Sequence, residues 1–162
     1  LLDMNIEKID QQIETILKNI IKITAGCLPH MIKNKWGRVI TVTSSGAIQP
    51  IDNLAISNIV RGALVGWSKS LSNEVAKYGI TVNTLLPGRI QTERLKELDE
   101  LIAKKKNTSR QEIIKESQSN IPTKRYGTVE EFASVATFLS SANASYITGS
   151  QIRCDGGLIK SV

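Results

Sequence analysis

Two short runs rich in β-branched residues, Arg38-Val39-Ile40-Thr41-Val42-Thr43 and Ile80-Thr81-Val82-Asn83-Thr84-Leu85-Leu86, are separated by one long helical stripe. That alternation constrains the fold more than any other feature of the chain. Between the runs, Ala55, Ile59, Ala63, Leu64, Trp67, Leu71 and Val75 recur at three- and four-residue steps, the period of an amphipathic helix. Strands joined through such a helix argue for parallel pairing by right-handed crossovers rather than hairpins. An earlier stripe, Ile6, Ile9, Ile13, Ile16, Leu17, Ile20, Thr24, Cys27 and Met31, predicts a single helix over residues 6–32, with Pro29 distorting or ending its last turn. A third strand is expected over 150–154, turning at Asp155-Gly156-Gly157. The class is α/β.

The punctuation between these elements is legible. Gly79 follows Lys77-Tyr78 as a helix stop, and Pro87-Gly88 halts the second strand. Residues 92–120 read as two polar helices, the second opened by the capping box Ser109-Arg110-Gln111-Glu112. Another box, Thr128-Val129-Glu130-Glu131, opens a helix through Phe132, Val135, Ala136 and Leu139.

Composition narrows the function classes. Of 162 residues, 41% are hydrophobic and 22% charged, as in an ordinary globular domain. No apolar run approaches the ~18 residues of a membrane helix, and Leu1-Leu2-Asp3-Met4-Asn5 has no signal-peptide pattern. A cytoplasmic protein with no membrane partner is expected. The net charge of +6 has only one dense run, Lys104-Lys105-Lys106, which reads as a solvated helix end; no nucleic-acid partner is expected. Cys27 and Cys154 have no metal-ligand spacing and read as buried free thiols, while His30 reads as a surface residue at a helix end. No metal is expected.

The first strand run ends in Thr43-Ser44-Ser45, and the helix after it opens Leu54-Ala55-Ile56-Ser57-Asn58-Ile59-Val60-Arg61. This resembles the short-chain dehydrogenase/reductase family, in which a strand delivers a Ser and the next helix carries Tyr-x-x-x-Lys. Helix phase puts Ser57 at the Tyr position and Arg61 at the Lys position. Tyr78-Gly79-Ile80-Thr81-Val82-Asn83, then Pro87-Gly88-Arg89-Ile90-Gln91-Thr92, resembles the strand and Pro-Gly-x-x-x-Thr turn that contact nicotinamide. Ile121-Pro122 to Gly127, Tyr146-Ile147-Thr148-Gly149 and Asp155-Gly156-Gly157 resemble the C-terminal signature. By the order and spacing of these motifs the chain is identified as a member of that family.

The resemblance implies the C-terminal part of a doubly wound, Rossmann-like parallel-sheet domain over residues 1–162, with a helical lid at about 92–120. The family's N-terminal nucleotide-binding half, with its Gly-x-x-x-Gly-x-Gly turn, has no counterpart in this sequence. The sequence is therefore expected to be a fragment of a longer chain, leaving the sheet edge beside Arg38–Thr43 open. The nearest glycine pattern, Gly62-x-x-x-Gly66, reads as close helix packing.

What the resemblance implies functionally is an atypical NAD(P)-dependent oxidoreductase, similar to the 3-oxoacyl-carrier-protein reductases, reducing a carbonyl or oxidising an alcohol. The cofactor is NAD or NADP, the substrate a small carbonyl compound or alcohol, and the assembly a homo-oligomer, dimer or tetramer. In that frame Ser45 orients the substrate carbonyl, although Ser44 has the more usual spacing to position 57. Arg61 serves the ribose and the local field, and Pro87, Gly88, Ile90 and Thr92 border the nicotinamide. The family's Asn position falls near Ile16, with Asn19 one turn later.

Ser57 is not an equivalent of Tyr, because its hydroxyl sits closer to the backbone and lacks a phenol's acidity near ~10. Arg61 stays protonated and cannot shuttle a proton. Proton transfer then needs a water held by Ser45 and Ser57, or a lid tyrosine such as Tyr126, which reads more simply as packing. Loss of general acid catalysis removes ~10²–10⁴-fold in rate and slows reduction without forbidding it. The alternative is a catalytically inactive nucleotide-binding or assembly protein of the same fold. A serine hydrolase is disfavoured, for lack of a Gly-x-Ser-x-Gly elbow and of an acid for His30.

Overall fold

The computed structural model describes residues 5–161. Strands β1 (Gly37–Val42), β2 (Ile80–Pro87) and β3 (Gln151–Cys154) form one sheet in the order β1-β2-β3, both pairs parallel. Gly37 lies beside Ile80 and Val42 beside Leu85; Thr84 lies beside Gln151 and Pro87 beside Cys154. All three carboxyl ends therefore emerge on the same side.

The central strand is buried almost throughout, because helices cover both of its faces. On one face Leu71 and Val75 of α3 (Ala55–Val75), with Leu28 and Met31 of α2 (Asn19–Lys33), pack on Ile80 and Val82. On the other, Leu139 of α6 (Val129–Ser140) and Ala144 pack on Leu85. Gly79 ends the α3 segment at φ +73°, where a Cβ would collide with the Lys35 carbonyl oxygen. The Ile147–Ser150 segment is stitched to β2 by buried Asn83, whose Nδ2 donates to Ile147 O (2.8 Å) and whose Oδ1 accepts from Ser150 N (3.1 Å). The excursion between β2 and α6 holds α4 (Glu93–Lys106) and α5 (Arg110–Ser119), the two polar helices expected there.

Four expectations need correction. The N-terminal helix is not uniform: α1 (Ile6–Gln12) passes through a π-helical stretch, Ile13–Lys18, into α2. Side chains there compete for helix carbonyls, Thr15 Oγ1 donating to Gln11 O (2.7 Å) and Asn19 Nδ2 to Thr15 O (3.2 Å). Pro29 does not end α2, which runs on to Lys33; the proline and Ala25, whose carbonyl loses its donor, both face solvent. Cys27 is exposed rather than buried, and only Cys154 is partly enclosed, where burial pushes its thiol up. Gly62 and Gly66 make no close packing, since a Cβ on either would meet nothing within 4 Å.

His30 is exposed as expected, with its ring Nε2 2.8 Å from the Asn34 amide. Lys104–Lys106 form the exposed last turn of α4. Among the described residues no helix is long and apolar enough to cross a membrane, no group of side chains is placed to hold a metal, and β1 pairs along one edge only.

Candidate active site

Ligands of open parallel sheets bind beyond the carboxyl ends of the strands, where side chains from several connections meet. Two walls rise from this end of the sheet. The first begins at Thr43, whose N–H donates to Leu85 O (3.0 Å) and keeps the chain beside β2. Ser44 is extended, and its Oγ accepts from Gly46 N (3.1 Å), opening a single 3₁₀ turn, Ser45–Ala47.

The chain then loops back to α3, which starts after Leu54 with no side-chain cap. Asn58 holds this loop: its Nδ2 donates to Ile51 O (3.0 Å) and its Oδ1 accepts from Ile51 N (3.3 Å). A Cβ on Gly46 would fall 2.6 Å from that same Oδ1, so the serine turn and the first turn of α3 sit against one another.

Ser57 and Arg61 lie four residues apart on one face of α3, both partly buried. Arg61 Nη1 reaches the Val42 carbonyl at 3.4 Å, a long contact that leaves most of its donors open. The hydroxyls of Ser45 and Ser57 bond to no described residue. Asn19 donates within its own helix and is exposed.

The second wall is the turn after β2. Gly88 N donates to Cys154 O (3.0 Å), and a Cβ there would lie 2.6 Å from Asp155 Cα, so only glycine fits. Ile90 forms a parallel bridge with Gly127, made by Gly127 N to Arg89 O (2.9 Å) and Gln91 N to Gly127 O (2.9 Å). Thr92 caps α4, its hydroxyl accepting from Leu95 N (3.2 Å).

Behind the turn, Arg89 Nη1 and the Tyr126 hydroxyl both donate to the buried Asp99 carboxylate, each at 3.1 Å. Burial pushes the Tyr126 phenol up, and its hydrogen is committed to Asp99, so this tyrosine is packed rather than presented. Arg125 clamps Glu131 with two bonds of 2.8 and 2.6 Å, and with the Thr128 N–H it holds that carboxyl down at about 2. A cleft of about 410 Å³ opens between this turn, α6 and the Asp155–Gly157 turn. Ile90 lines it; Ser45, Ser57 and Arg61 do not.

For the nicotinamide end of a dinucleotide the residues fit. Arg61 has open donors at the end of β1, and Thr43 Oγ1 at the same strand end is a buried hydroxyl with no partner among the described residues. For the pyrophosphate they do not: Gly62 and Gly66 lie inside α3, where no turn presents backbone N–H groups.

Sequence reasoning missed Asn58 and Asp99. Asp99 carried a signal, an acidic residue on the stripe Leu95, Leu98, Ile102 and Ala103, where a charge must find partners. Asn58 carried none, because its role depends on how the loop returns.

A family profile described as Enoyl-(Acyl carrier protein) reductase matches residues 1–159. The NADPH-dependent reductase BacG of Bacillus subtilis (strain 168) is 41% identical over 132 residues, 82% of this chain and 51% of that protein. The 3-oxoacyl-(acyl-carrier-protein) reductase FabG of Buchnera aphidicola subsp. Acyrthosiphon pisum is 35% identical over 158 residues, 98% of this chain and 60% of that protein. The crystal structure of YwfH, an NADPH-dependent reductase involved in bacilysin biosynthesis, matches with a TM-score of 0.93 at 35% identity, covering 99% of this chain and 61% of that one. The chain thus spans between half and three fifths of the length of these curated relatives.

Proposed function

The chain belongs to the short-chain dehydrogenase/reductase family, and from that premise we propose that the protein is an NAD(P)-dependent oxidoreductase of the 3-oxoacyl-carrier-protein-reductase kind. Its substrate is a small carbonyl compound or the corresponding alcohol. The observation that carries this reading is that the Ser44–Ser45 turn, packed against the first turn of α3, and the Pro87–Thr92 turn leave neighbouring parallel strands at the same end of the sheet. The reading treats residues 1–162 as the C-terminal part of a single doubly wound domain. The open edge of β1 and the share of the relatives' length that is covered both support it.

In this reading Pro87, Gly88, Ile90 and Thr92 border the nicotinamide and Arg61 directs donors at its ribose. When bound, the nicotinamide supplies or accepts the hydride. Ser45 orients the substrate oxygen with a hydroxyl that bonds to no described residue. Ser57 holds a water that relays the proton, its own hydroxyl being too short and too weakly acidic to replace a phenol. Arg61 stabilises developing negative charge on the substrate oxygen through its fixed positive charge. Residues 92–120 cover the bound substrate. The assembly is a homo-oligomer.

One observation favours a second reading, a nucleotide-binding or assembly protein without turnover. Tyr126, whose hydroxyl is tied to Asp99, is not free to supply the proton that Ser57 cannot. The test uses the intact protein from its full-length natural gene, whose mass is measured first. NADPH, then NADH, is titrated and oxidation is followed across a panel of carbonyl compounds, with Arg61→Ala as control. The expected result is slow turnover that the double variant Ser57→Tyr/Arg61→Lys raises by ~10²-fold or more. Cofactor binding without turnover in either protein would sink the enzyme reading and leave the second one.

A further inference from the structure

We propose that Asp99 is a positioning residue that fixes the α4–α5 excursion against the Gly88–Thr92 turn. It does so through Arg89 and Tyr126, so that the turn and the wall above it move as one piece. The functional part of this rests on the reading of Gly88, Ile90 and Thr92 as a cofactor border; the mechanical part does not.

Asp99 is only 1% exposed, and its two carboxylate oxygens go to different parts of the molecule. Oδ1 accepts from Arg89, which lies inside the turn, and Oδ2 accepts from Tyr126, which lies in the loop before α6. Those two segments are already stitched side by side by the Arg89–Gly127 and Gln91–Gly127 backbone bonds. One carboxylate on α4 thus closes a ring through the exit of β2, the loop before α6 and the lid helix. The Ser117 hydroxyl of α5 lies beside the same phenol, bringing the second lid helix to the knot. The helices α4 and α5 pack chiefly on each other, so this knot is a principal tether between the pair and the sheet.

A stabilising role alone explains the charge poorly. Burying an ion pair carries a desolvation cost that often cancels its Coulombic gain, and an apolar residue would extend the stripe Leu95, Leu98, Ile102 at no such cost. What the carboxylate adds is direction: two acceptors at fixed angles, each naming one partner. That is the property needed to hold a turn and a helix in a single relative position.

The test is residue-resolved amide hydrogen exchange on the intact protein, comparing wild type, Asp99→Asn and Tyr126→Phe. In Asp99→Asn, amides of residues 93–119 and those of Gln91 and Gly127 are expected to accelerate together, by about tenfold or more. Amides of β1 and α3 keep their rates. Tyr126→Phe, which removes one hydroxyl and no charge, gives the same pattern with smaller amplitude, and it carries the test if Asp99→Asn fails to fold. Acceleration of the helices without Gln91 and Gly127, equal acceleration everywhere, or no acceleration would each overturn the proposal.

With NADPH and a substrate from the panel above, KM rises in Asp99→Asn by a larger factor than kcat falls; a fall in kcat alone also overturns it. A wild-type protein that binds no cofactor would defeat the oxidoreductase reading while the exchange data still decide the coupling.

Discussion

The two walls at the carboxyl end of the sheet are built in opposite ways. From Gly88 to Glu131 the polar groups that start the helices and brace the turn have partners inside the chain, although Arg110 Nε is buried without one among the described residues. Thr92, Ser109 and Thr128 cap α4, α5 and α6, the last two with complete capping boxes. Asp99 is shared by Arg89 and Tyr126, and Glu131 is gripped by Arg125.

From Ser44 to Arg61 the reverse holds. The helix α3 opens on Leu54 without a cap, the Ser45 and Ser57 hydroxyls have no partner among the described residues, and Arg61 makes one long contact. Partly buried polar groups are normally satisfied within the protein, by water or by a ligand. The proposed function assigns substrate chemistry to the wall with unspent donors and acceptors, and a scaffolding role to the bonded one.

Breaking the scaffold wall is expected to have the largest effect. Gly88→Ala puts a Cβ 2.6 Å from Asp155 Cα, a collision with backbone that only a shift of the turn relieves. A loss of about 1–3 kcal/mol in chemical denaturation is expected. An unchanged midpoint would show the turn to be loose, and the contrast would fail.

The open wall is tested by a pair of variants. Asn58→Ala deletes both bonds to Ile51 and should cost about 1 kcal/mol. Ser57→Ala, deleting a hydroxyl that bonds to no described residue, should change stability by less than about 0.5 kcal/mol. If the serine variant loses as much as the asparagine variant, Ser57 is structural and its proposed role in a proton path loses its ground.

The same contrast governs what was legible in the sequence. Strands, caps and stops are encoded locally, and Arg38–Val42 of the expected 38–43 strand, Gly79, Ser109–Glu112 and Thr128–Glu131 all stand where their residue types predict. The π-helical stretch at Ile13–Lys18 breaks a stripe whose apolar spacing shows no interruption, because side-chain bonds to helix carbonyls leave no mark in hydrophobic period.

Cys27 is exposed against expectation for a related reason: apolar neighbours in sequence say nothing of which face a helix turns inward. For the candidate site residues, motif order is the signal that the sequence carries. The knot at Asp99 joins residues ten and twenty-seven positions away and becomes visible only once β2 and the loop before α6 run side by side.

The smallest expected effect sharpens the comparison through pH. Glu131 is exposed, yet its carboxyl is held down at about 2 against a usual 4.5, by the Arg125 guanidinium first and the Thr128 N–H second. A carboxylate whose pKa is lower in the folded chain contributes stability that is fully present above its unfolded value. That contribution fades as pH falls from about 4.5 through about 2.

Solvent screening keeps it small, so Glu131→Gln should lower the thermal midpoint near neutral pH by no more than a few degrees. The gap between wild type and variant should then close as the solution is acidified across that window. A gap that stays constant into acid would mean that the charge contributes nothing. The bonded look of the scaffold wall would then, at α6, be a matter of packing and neutral capping alone.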